Sequence, residues 1–171
     1  GLYCVTVTDA NGCTITDCVN VEEPLILTSV IDSIHNVSCN GGNDGATRVL
    51  ASDGTPGYSY SWSNGGTTAL ITGLSVGNYC VTVTDAASCT VSSCVTITEP
   101  TVITITMATD SVDCKSTSTG SVSANASGGM SSYTYLWDAA AGSVTTTTVN
   151  GLAAGTYCVT VTDALGCTAT N

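Results

Sequence analysis

Apolar and polar side chains alternate along short segments of the chain, as they do in half-buried β-strands. In residues 79–84, a tyrosine and two valines occupy one strand face, and a cysteine and two threonines occupy the other. Residues 90–97 alternate in the same way. The five residues between these segments begin with Asp85, whose side chain can bond the backbone of a tight turn. The pattern predicts a β-hairpin with three loop residues.

The hairpin segment occurs three times, which indicates that the chain is built from repeats. The sequence Tyr-Cys-Val-Thr-Val-Thr-Asp-Ala appears at residues 3–10, 79–86 and 157–164. Successive copies are offset by 76 and 78 residues (3 to 79, and 79 to 157). A repeat of this length is far longer than the turn of a β-solenoid and is close to the size of a small domain.

The repeat divides the chain into three predicted domains. We expect the C-terminal hairpin of one repeat in residues 1–23, a complete β-sandwich repeat in residues 24–99, and a third repeat without its last strand in residues 100–171. Because both ends fall inside a repeat, we expect further chain on each side.

Other segments with the composition of strands precede each hairpin. They are rich in valine, threonine and tyrosine, and glycine-rich turns separate them. About six or seven short strands per repeat predict an all-β fold of tandem, small antiparallel sandwiches with an immunoglobulin-like outline. In the complete repeat, the predicted strands before the hairpin are Leu25–Ile31, Ala46–Ala51, Tyr58–Trp62 and Thr67–Thr72.

The positions of the cysteines on the predicted strands suggest how they pair. If Asp85 faces Cys89 across the turn, Cys80 faces Cys94 on the outer, threonine-rich face, at a rung where side chains approach closely. Cys89 then lies on the inner face and is left for Cys39. The predicted disulfides are Cys80–Cys94, its equivalent Cys4–Cys18, Cys39–Cys89 and its equivalent Cys114–Cys167.

The other cysteines follow the same arithmetic, so that Cys13 would pair with a residue before this sequence and Cys158 with position 172. Zinc binding is the alternative use of the cysteines. Opposite strand faces would point the sulfurs of Cys89 and Cys94 apart, and His35 is the single histidine. Disulfides would stabilise a small repeat that has no phenylalanine, and they indicate an oxidising, extracytoplasmic compartment.

The complete repeat contains four distinctive motifs. They are Val-Ser-Cys39-Asn-Gly-Gly-Asn-Asp-Gly45, Gly54-Thr-Pro-Gly-Tyr-Ser-Tyr-Ser-Trp62-Ser-Asn-Gly-Gly66, Ile71-Thr-Gly-Leu-Ser-Val-Gly77 and Tyr79-Cys-Val-Thr-Val-Thr-Asp85. Together they resemble the SprB-type repeat, which occurs in tandem in large surface adhesins of gliding Bacteroidetes. The resemblance implies export to the cell surface or beyond, long tandem arrays, and an adhesive or fibre-forming role.

The charge of the chain excludes several classes of partner. Only Arg48 and Lys115 are basic, against 13 Asp and Glu, which gives a formal net charge of -11. Nucleic acids and anionic membranes both require a basic surface, so we expect neither as a partner. No apolar run approaches the roughly 18 residues that a membrane-spanning helix needs, so we expect no membrane insertion of this segment.

Each repeat places two tyrosines and a tryptophan on one strand face. Exposed, such a stripe could stack on sugar rings; buried, it would form the core of the sandwich. We expect burial, because the repeat offers no other side chains large enough for a core. The residues are Tyr58, Tyr60 and Trp62, and Tyr133, Tyr135 and Trp137.

Several residues suggest modification or a bound ion. Asn36 and Asn125 stand in N-glycosylation sequons, and Ser33 and Ser111 follow aspartate and precede an aliphatic residue, a motif for O-glycosylation in the phylum that the repeat resembles. Calcium is the one cofactor that we consider possible, at the junctions near Glu23 and Glu99, because it prefers oxygen ligands.

A serine motif is the single candidate for catalysis. Residues 73–77 fit the Gly-x-Ser-x-Gly nucleophile elbow, which requires a strand–turn–helix context and a later histidine. Here Ser75 lies between predicted strands, His35 comes earlier, and the third repeat has Ala153 in its place. We therefore expect no enzyme activity.

The sequence as a whole predicts a structural, non-catalytic segment of an extracellular filament or surface adhesin stalk. Its expected partners are further repeats of the same polypeptide and other copies in a fibre. The alternative is a carbohydrate-binding adhesin module, which predicts an exposed aromatic platform on one repeat only.

Overall fold

The computed structural model describes residues 1–111 and 118–171, and in these ranges the chain is all-β, as predicted. The one other regular element there is a short 3-10 turn, Ala139–Ala141. The strands are β1 (Leu2–Thr8), β2 (Thr14–Asn20), β3 (Thr28–His35), β4 (Gly45–Ser52), β5 (Ser59–Trp62), β6 (Leu70–Leu74), β7 (Gly77–Thr84), β8 (Thr90–Ile97), β9 (Thr104–Asp110), β10 (Gly120–Ser127), β11 (Thr134–Trp137), β12 (Thr148–Leu152), β13 (Val159–Thr162) and β14 (Thr168–Thr170).

The strands form small antiparallel sheets, and the two longer repeats build them in the same order. Residues 24–99 contribute the sheets β3-β4-β6 and β5-β7-β8, and residues 100–171 contribute β9-β10-β12 and β11-β13-β14. Strands β1 and β2 pair with each other alone, and they correspond to β7 and β8. The same sequence pattern therefore forms the same strand pairing in each repeat.

The chain divides into two compact units. The predicted boundaries at residues 23/24 and 99/100 are not the boundaries of these units, and they stay a prediction. The first unit contains Gly1–Val30, Val49–Ala69 and Cys80–Ser93, and the second contains Ile31–Arg48, Leu70–Tyr79 and Cys94–Asn171.

Both sheets of residues 100–171 contribute to one hydrophobic core. Val122 of β10 and Val149 of β12 join Trp137 of β11 and Val159 and Val161 of β13 in a single buried cluster. Their alternation along the strands places them on the inner faces. This two-layer packing is compatible with the expected immunoglobulin-like sandwich. In the first unit, the buried side chains include Leu27, Val49, Trp62, Val81 and Val83.

Two strands begin later than the sequence pattern predicts. The carbonyl of Leu25 accepts a hydrogen bond from the N–H of Gly54, and β3 starts only at Thr28. The carbonyl of Thr68 accepts the indole N–H of Trp62 at 2.9 Å, and β6 starts only at Leu70. In both places, a backbone carbonyl near the predicted start of the strand is hydrogen-bonded to a loop residue or a side chain, and the strand begins further along the chain.

A five-residue aspartate turn closes the hairpins β1–β2, β7–β8 and β13–β14. In each turn the N–H of the aspartate bonds the carbonyl of the fifth residue, a cysteine, at 2.9–3.0 Å. The fourth residue has a left-handed backbone, with φ of 86° at Gly12, 67° at Ser88 and 85° at Gly166. Glycine adopts this conformation without steric cost, whereas serine does not.

Replacing Ser88 by glycine is therefore expected to stabilise the complete repeat. The substitution stabilises the fold by removing the clash of a Cβ atom in a left-handed backbone. The greater chain entropy of glycine in the unfolded state offsets part of this effect, so the free energy of unfolding should rise by roughly 0.5–1 kcal/mol. Urea unfolding of the oxidised chain measures the change. Ser88→Ala is the matched control, because it keeps the Cβ atom; an equal gain in both variants would contradict the explanation.

Candidate functional site

Cys4 and Cys18 form the disulfide that the hairpin register predicts. They face each other on β1 and β2, with their Cα atoms 4.0 Å apart. Thr6 and Thr16, the next facing pair on the same strand face, share a hydroxyl hydrogen bond of 2.8 Å. The side chains of this face are exposed. The bond therefore links the two strands of the hairpin at an exposed position.

Cys80 and Cys94 form the equivalent disulfide in the complete repeat. Both are disulfide-bonded, and the described part of the chain has three disulfides, of which the other two join other cysteines. The hydroxyls of Thr82 and Ser92 lie 3.1 Å apart, which fits the register in which Cys80 faces Cys94. The two predicted cross-strand bonds of the terminal hairpins are thus present.

Cys39 is bonded to Cys167, so the predicted Cys39–Cys89 disulfide is wrong. The predicted Cys114–Cys167 bond is wrong for the same reason, since Cys167 already has a partner. Cys114 itself lies outside the described residues. The Cα atoms of Cys39 and Cys167 are 5.6 Å apart, within the usual range for a disulfide. The bond joins one repeat to the next.

The length of β8 explains why Cys39 does not reach Cys89. The N–H of Val37 bonds the carbonyl of Thr98 at 2.9 Å, which places Cys39 near the residue that follows β8. Cys89 lies at the other end, directly before β8. Eight strand residues span about 26 Å, whereas a disulfide joins Cα atoms less than about 7 Å apart. Strand alternation predicts the face of a residue correctly but not the end of the sheet at which it lies.

Hydrogen bonds hold the loop that carries Cys39 against the linker to the next repeat. The side-chain amide of Asn40 donates to the carbonyl of Pro100 at 3.1 Å, and the N–H of Gly41 donates to a carboxylate oxygen of Glu99 at 2.6 Å. Gly41 has φ of 74°, a conformation that favours glycine. The loop lies beside a groove of about 340 Å³ that also includes Ile103, Asp163 and Cys167.

The buried carboxylate of Asp163 orders the turn that presents Cys167. One oxygen accepts the N–H groups of Leu165 and Cys167, each at 2.9 Å, and the other accepts the N–H of Met130 at 2.9 Å. These donors, with Met130 first, lower the pKa of Asp163. Asp85 makes the corresponding bonds to Thr55, Ala87 and Cys89, and the N–H of Thr55 contributes most to lowering its pKa.

The two tryptophans are buried, and the tyrosines beside them are only half-buried. Trp62 and Trp137 are 3% and 1% exposed, and their indole N–H groups donate to the carbonyls of Thr68 and Thr146. Neither repeat therefore presents a tryptophan as a sugar-stacking platform. The half-buried tyrosines are Tyr58, Tyr60, Tyr133 and Tyr135, and the hydroxyls of Tyr58 and Tyr133 donate to the carbonyls of Asp53 and Gly128.

The candidate glycosylation sites all lie on exposed residues. Ser33 is on β3, Asn125 is on β10, and Ser111 follows β9. The side-chain oxygen of Asn36 accepts the N–H of Thr98 at 3.0 Å, so this amide also fixes the start of the Cys39 loop. Glycosylation at these residues stays a prediction.

Two of the calcium and serine candidates, Glu99 and Ser75, accept hydrogen bonds in the structure. The Glu99 carboxylate accepts the N–H of Gly41, and residues 1–111 and 118–171 contain no group of three or more metal-binding side chains. Ser75 lies between β6 and β7, and its carbonyl accepts the hydroxyl of Tyr79. Calcium at the junctions stays a prediction. None of the helical structure in the described ranges is long enough to cross a membrane.

Among the described residues, three cysteines have free, exposed thiols, at positions 13, 89 and 158. The free thiol of Cys89 is the feature of this site that strand alternation misses. A comparison of the repeats could have found it. Cys89 is equivalent to Cys167, and the linker at the start of a repeat brings this turn position next to the preceding repeat.

In its described residues the chain is all-β, and disulfides join strands within a hairpin and one repeat to the next, a kind of cross-link that is typical of proteins in oxidising compartments. The family model described as the SprB repeat matches residues 31–67 and 106–142, so the chain contains two SprB repeats, as the sequence motifs predicted. SprB repeats occur in cell-surface proteins and indicate a structural segment of the adhesin type. No curated protein matches the chain.

Trypsin provides a direct test of the pairing, because Arg48 and Lys115 are the only two basic residues. We expect the oxidised chain, alkylated at free thiols, unfolded and digested, to give residues 1–48 joined to residues 116–171 by the Cys39–Cys167 bond. Residues 49–115 should separate from them without reduction. Non-reducing mass spectrometry measures the products. A single species containing all three fragments would instead support Cys39–Cys89 and Cys114–Cys167.

The aspartate turns predict a loss of stability in acid. The folded-state pKa of Asp163 lies below its ordinary value of 3.8, so its ionised carboxylate stabilises the fold above pH 3.8, and this contribution disappears as the pH falls through the folded-state pKa. Asp163→Asn should lower the thermal midpoint at pH 7 and reduce its further decrease between about pH 4 and pH 2. Asp110→Asn removes the same charge at an exposed position. Equal effects of the two substitutions would contradict the role of the turn.

Proposed function

We propose that this segment is a non-catalytic, tension-bearing part of an extracellular filament or surface adhesin stalk. One observation carries the proposal most directly. Successive repeats are joined twice, by the peptide linker Glu99-Pro100 and by the Cys39–Cys167 disulfide. A second covalent connection between domains has its clearest use where the chain is pulled. The disulfides and the SprB matches support a location outside the cytoplasm.

Tension applied to the ends of the chain would pass through the disulfides instead of through the folded repeats. The Cys39–Cys167 bond closes a loop with a sequence separation of 128 residues, and the Cys4–Cys18 bond closes one of 14. Residues inside a closed loop cannot be extended while the bond is intact. Most of the β-structure is therefore shielded from unfolding by force.

The exposure of the hairpin β1–β2 supports the proposal that further strands of its own repeat pack against this segment. Every residue of both strands is exposed, and large apolar side chains alternate along them. In the complete repeat, the equivalent Val81 and Val83 are fully buried. Association with other copies in a fibre remains part of the proposal, with the exposed strand edges as the candidate surface.

The buried tryptophans favour the structural role over the carbohydrate-binding alternative. A sugar platform requires exposed aromatic rings, and it would need to occur on one repeat only. Trp62 and Trp137 are buried alike, and each indole N–H is already bonded to a carbonyl. The two tryptophans therefore serve the core of their repeats.

Single-molecule stretching of the oxidised chain tests the proposal. Adding a reductant should release the 128 residues between Cys39 and Cys167, an increase in contour length of about 46 nm. Cys39→Ser should give about 40 nm without reductant, because the shorter Cys80–Cys94 loop stays closed. An increase in contour length no larger than about 18 nm, the length of the segment between Cys39 and Cys89, would contradict the proposal that tension passes through the Cys39–Cys167 bond. Cys13→Ser is the control and should extend like the unmodified chain.

A further inference from the structure

We propose that Cys89 forms another disulfide between repeats, equivalent to the Cys39–Cys167 bond. We call such a bond between a loop of one repeat and a turn of the next a latch. The partner of Cys89 would be the cysteine of a Cys-Asn-Gly loop, like that of Cys39, in the repeat that precedes residues 24–99 in the same polypeptide. The inference rests on the proposed function only in that it assumes a tandem array. It concerns a bond that the 171 residues do not contain, because the partner cysteine belongs to another repeat.

The position of Cys89 in its turn is the first support. Cys89 and Cys167 are both the fifth residue of an aspartate turn, and their N–H groups donate to the aspartate carboxylate at 2.8 Å and 2.9 Å. Cys167 is bonded to the loop of the repeat before it, whereas Cys89 has a free, exposed thiol. The same local structure therefore presents an occupied sulfur in one repeat and an available one in the other.

The groove beside each cysteine is the second support. A groove of about 290 Å³ adjoins Cys89, and a groove of about 340 Å³ adjoins Cys167. Corresponding residues line the two grooves, and the groove at Cys167 also includes Cys39 and Asn40 from the preceding repeat. The corresponding residues are Pro24 and Pro100, Leu27 and Ile103, Asp85 and Asp163, and Thr90 and Thr168.

The linker before the complete repeat offers the same hydrogen-bond acceptors as the linker after it. Glu99 accepts the N–H of Gly41, and the carbonyl of Pro100 accepts the side-chain amide of Asn40. The equivalent pair is Glu23-Pro24, and both residues line the groove beside Cys89. An incoming Cys-Asn-Gly loop would therefore find a carboxylate and a carbonyl in the places that hold the Cys39 loop.

The other two free thiols lie in different surroundings. Cys13 occupies the same turn position, but it belongs to a hairpin whose strands are wholly exposed. Cys158 directly precedes β13 and is equivalent to Cys80. The backbones of Val159 and Asn171 bond each other in both directions, so Cys158 is in register with position 172. Of the three thiols, Cys89 is the one that lies in a complete repeat with the groove beside it.

Formation of the latch is a two-electron oxidation. The thiol of Cys89 and the thiol of the incoming loop lose two protons and two electrons, and one S–S bond forms between them. The electrons pass to the disulfide of an extracytoplasmic thiol oxidoreductase, which is reduced to two thiols. In the test below, an activated disulfide on a peptide takes the place of that oxidant.

The probe is a synthetic peptide with the sequence of residues 36–45, in which the cysteine is a mixed disulfide with 2-thiopyridine. The thiolate of Cys89 in the oxidised, full 171-residue chain attacks the peptide sulfur, and pyridine-2-thione leaves. Peptide mapping assigns the rate to each free thiol. We expect Cys89 to react about tenfold faster with this peptide than with a control peptide that has alanine for Asn40 and proline for Gly41, since the control loses both hydrogen bonds.

Two variants separate recognition by the linker from a general effect of charge. Glu23→Ala should remove most of the preference of Cys89 for the native peptide, and Glu22→Ala, which removes the same charge one residue earlier, should keep it. Equal rates with the two peptides, or equal effects of the two variants, would overturn the latch. Glu22 and Glu23 are both exposed, so neither substitution should prevent folding.

Protein taken from the cell surface and digested with pepsin in acid gives the second measurement, because acid prevents disulfide exchange. We expect Cys89 to be linked to a cysteine from the preceding repeat. Cys89 found as a free thiol or linked to Cys39 would overturn the inference. Reactivity of Cys89 does not affect the shielded length between Cys39 and Cys167, so failure of the latch and failure of the load-bearing role are distinguishable.

Discussion

The disulfide between Cys39 and Cys167 depends on a simple property of an antiparallel hairpin, in which the turn lies at one end and the chain leaves at the other. The chain leaves the complete repeat after β8, next to the loop that carries Cys39. The linker then leads into residues that line the groove beside Cys167. The loop of one repeat and the turn of the next are thereby brought together, whereas the loop and the turn of a single repeat are separated by the length of β8.

The aspartate turn links the stability of the fold to the position of this bond. The carboxylate of Asp163 bonds the N–H of Cys167 and, through its other oxygen, the N–H of Met130, which lies outside the hairpin. The turn is thus fixed to the body of its repeat by bonds that do not involve the disulfide. A cysteine held in this way loses little further freedom when it is oxidised, which favours one partner among several thiols.

Strand alternation predicted the features that depend on the face of a strand. The Cys4–Cys18 bond and the burial of Trp62 and Trp137 follow from residues that share a face or stand opposite each other. It failed for Cys39, because a period of two residues contains no information about the end of a sheet. The bond between Glu99 and the N–H of Gly41 was equally hidden, since it depends on the left-handed backbone of a loop. The starts of β3 and β6 shifted because backbone groups near the predicted starts bond a loop residue or an indole N–H.

The order of the cysteines in the chain has a mechanical consequence that does not depend on sequence similarity. Cys39 precedes Cys89, so a latch arriving at Cys89 from the preceding repeat would close a loop that overlaps the loop closed by Cys39 and Cys167. In an array of such latches, the overlapping loops would leave no stretch of chain outside a covalent ring. A single backbone cut between Cys39 and Cys167 would then leave the two sides joined through sulfur. Resistance to tension and tolerance of a proteolytic nick would both follow from the same overlap, and the thin core of each repeat would not have to provide either.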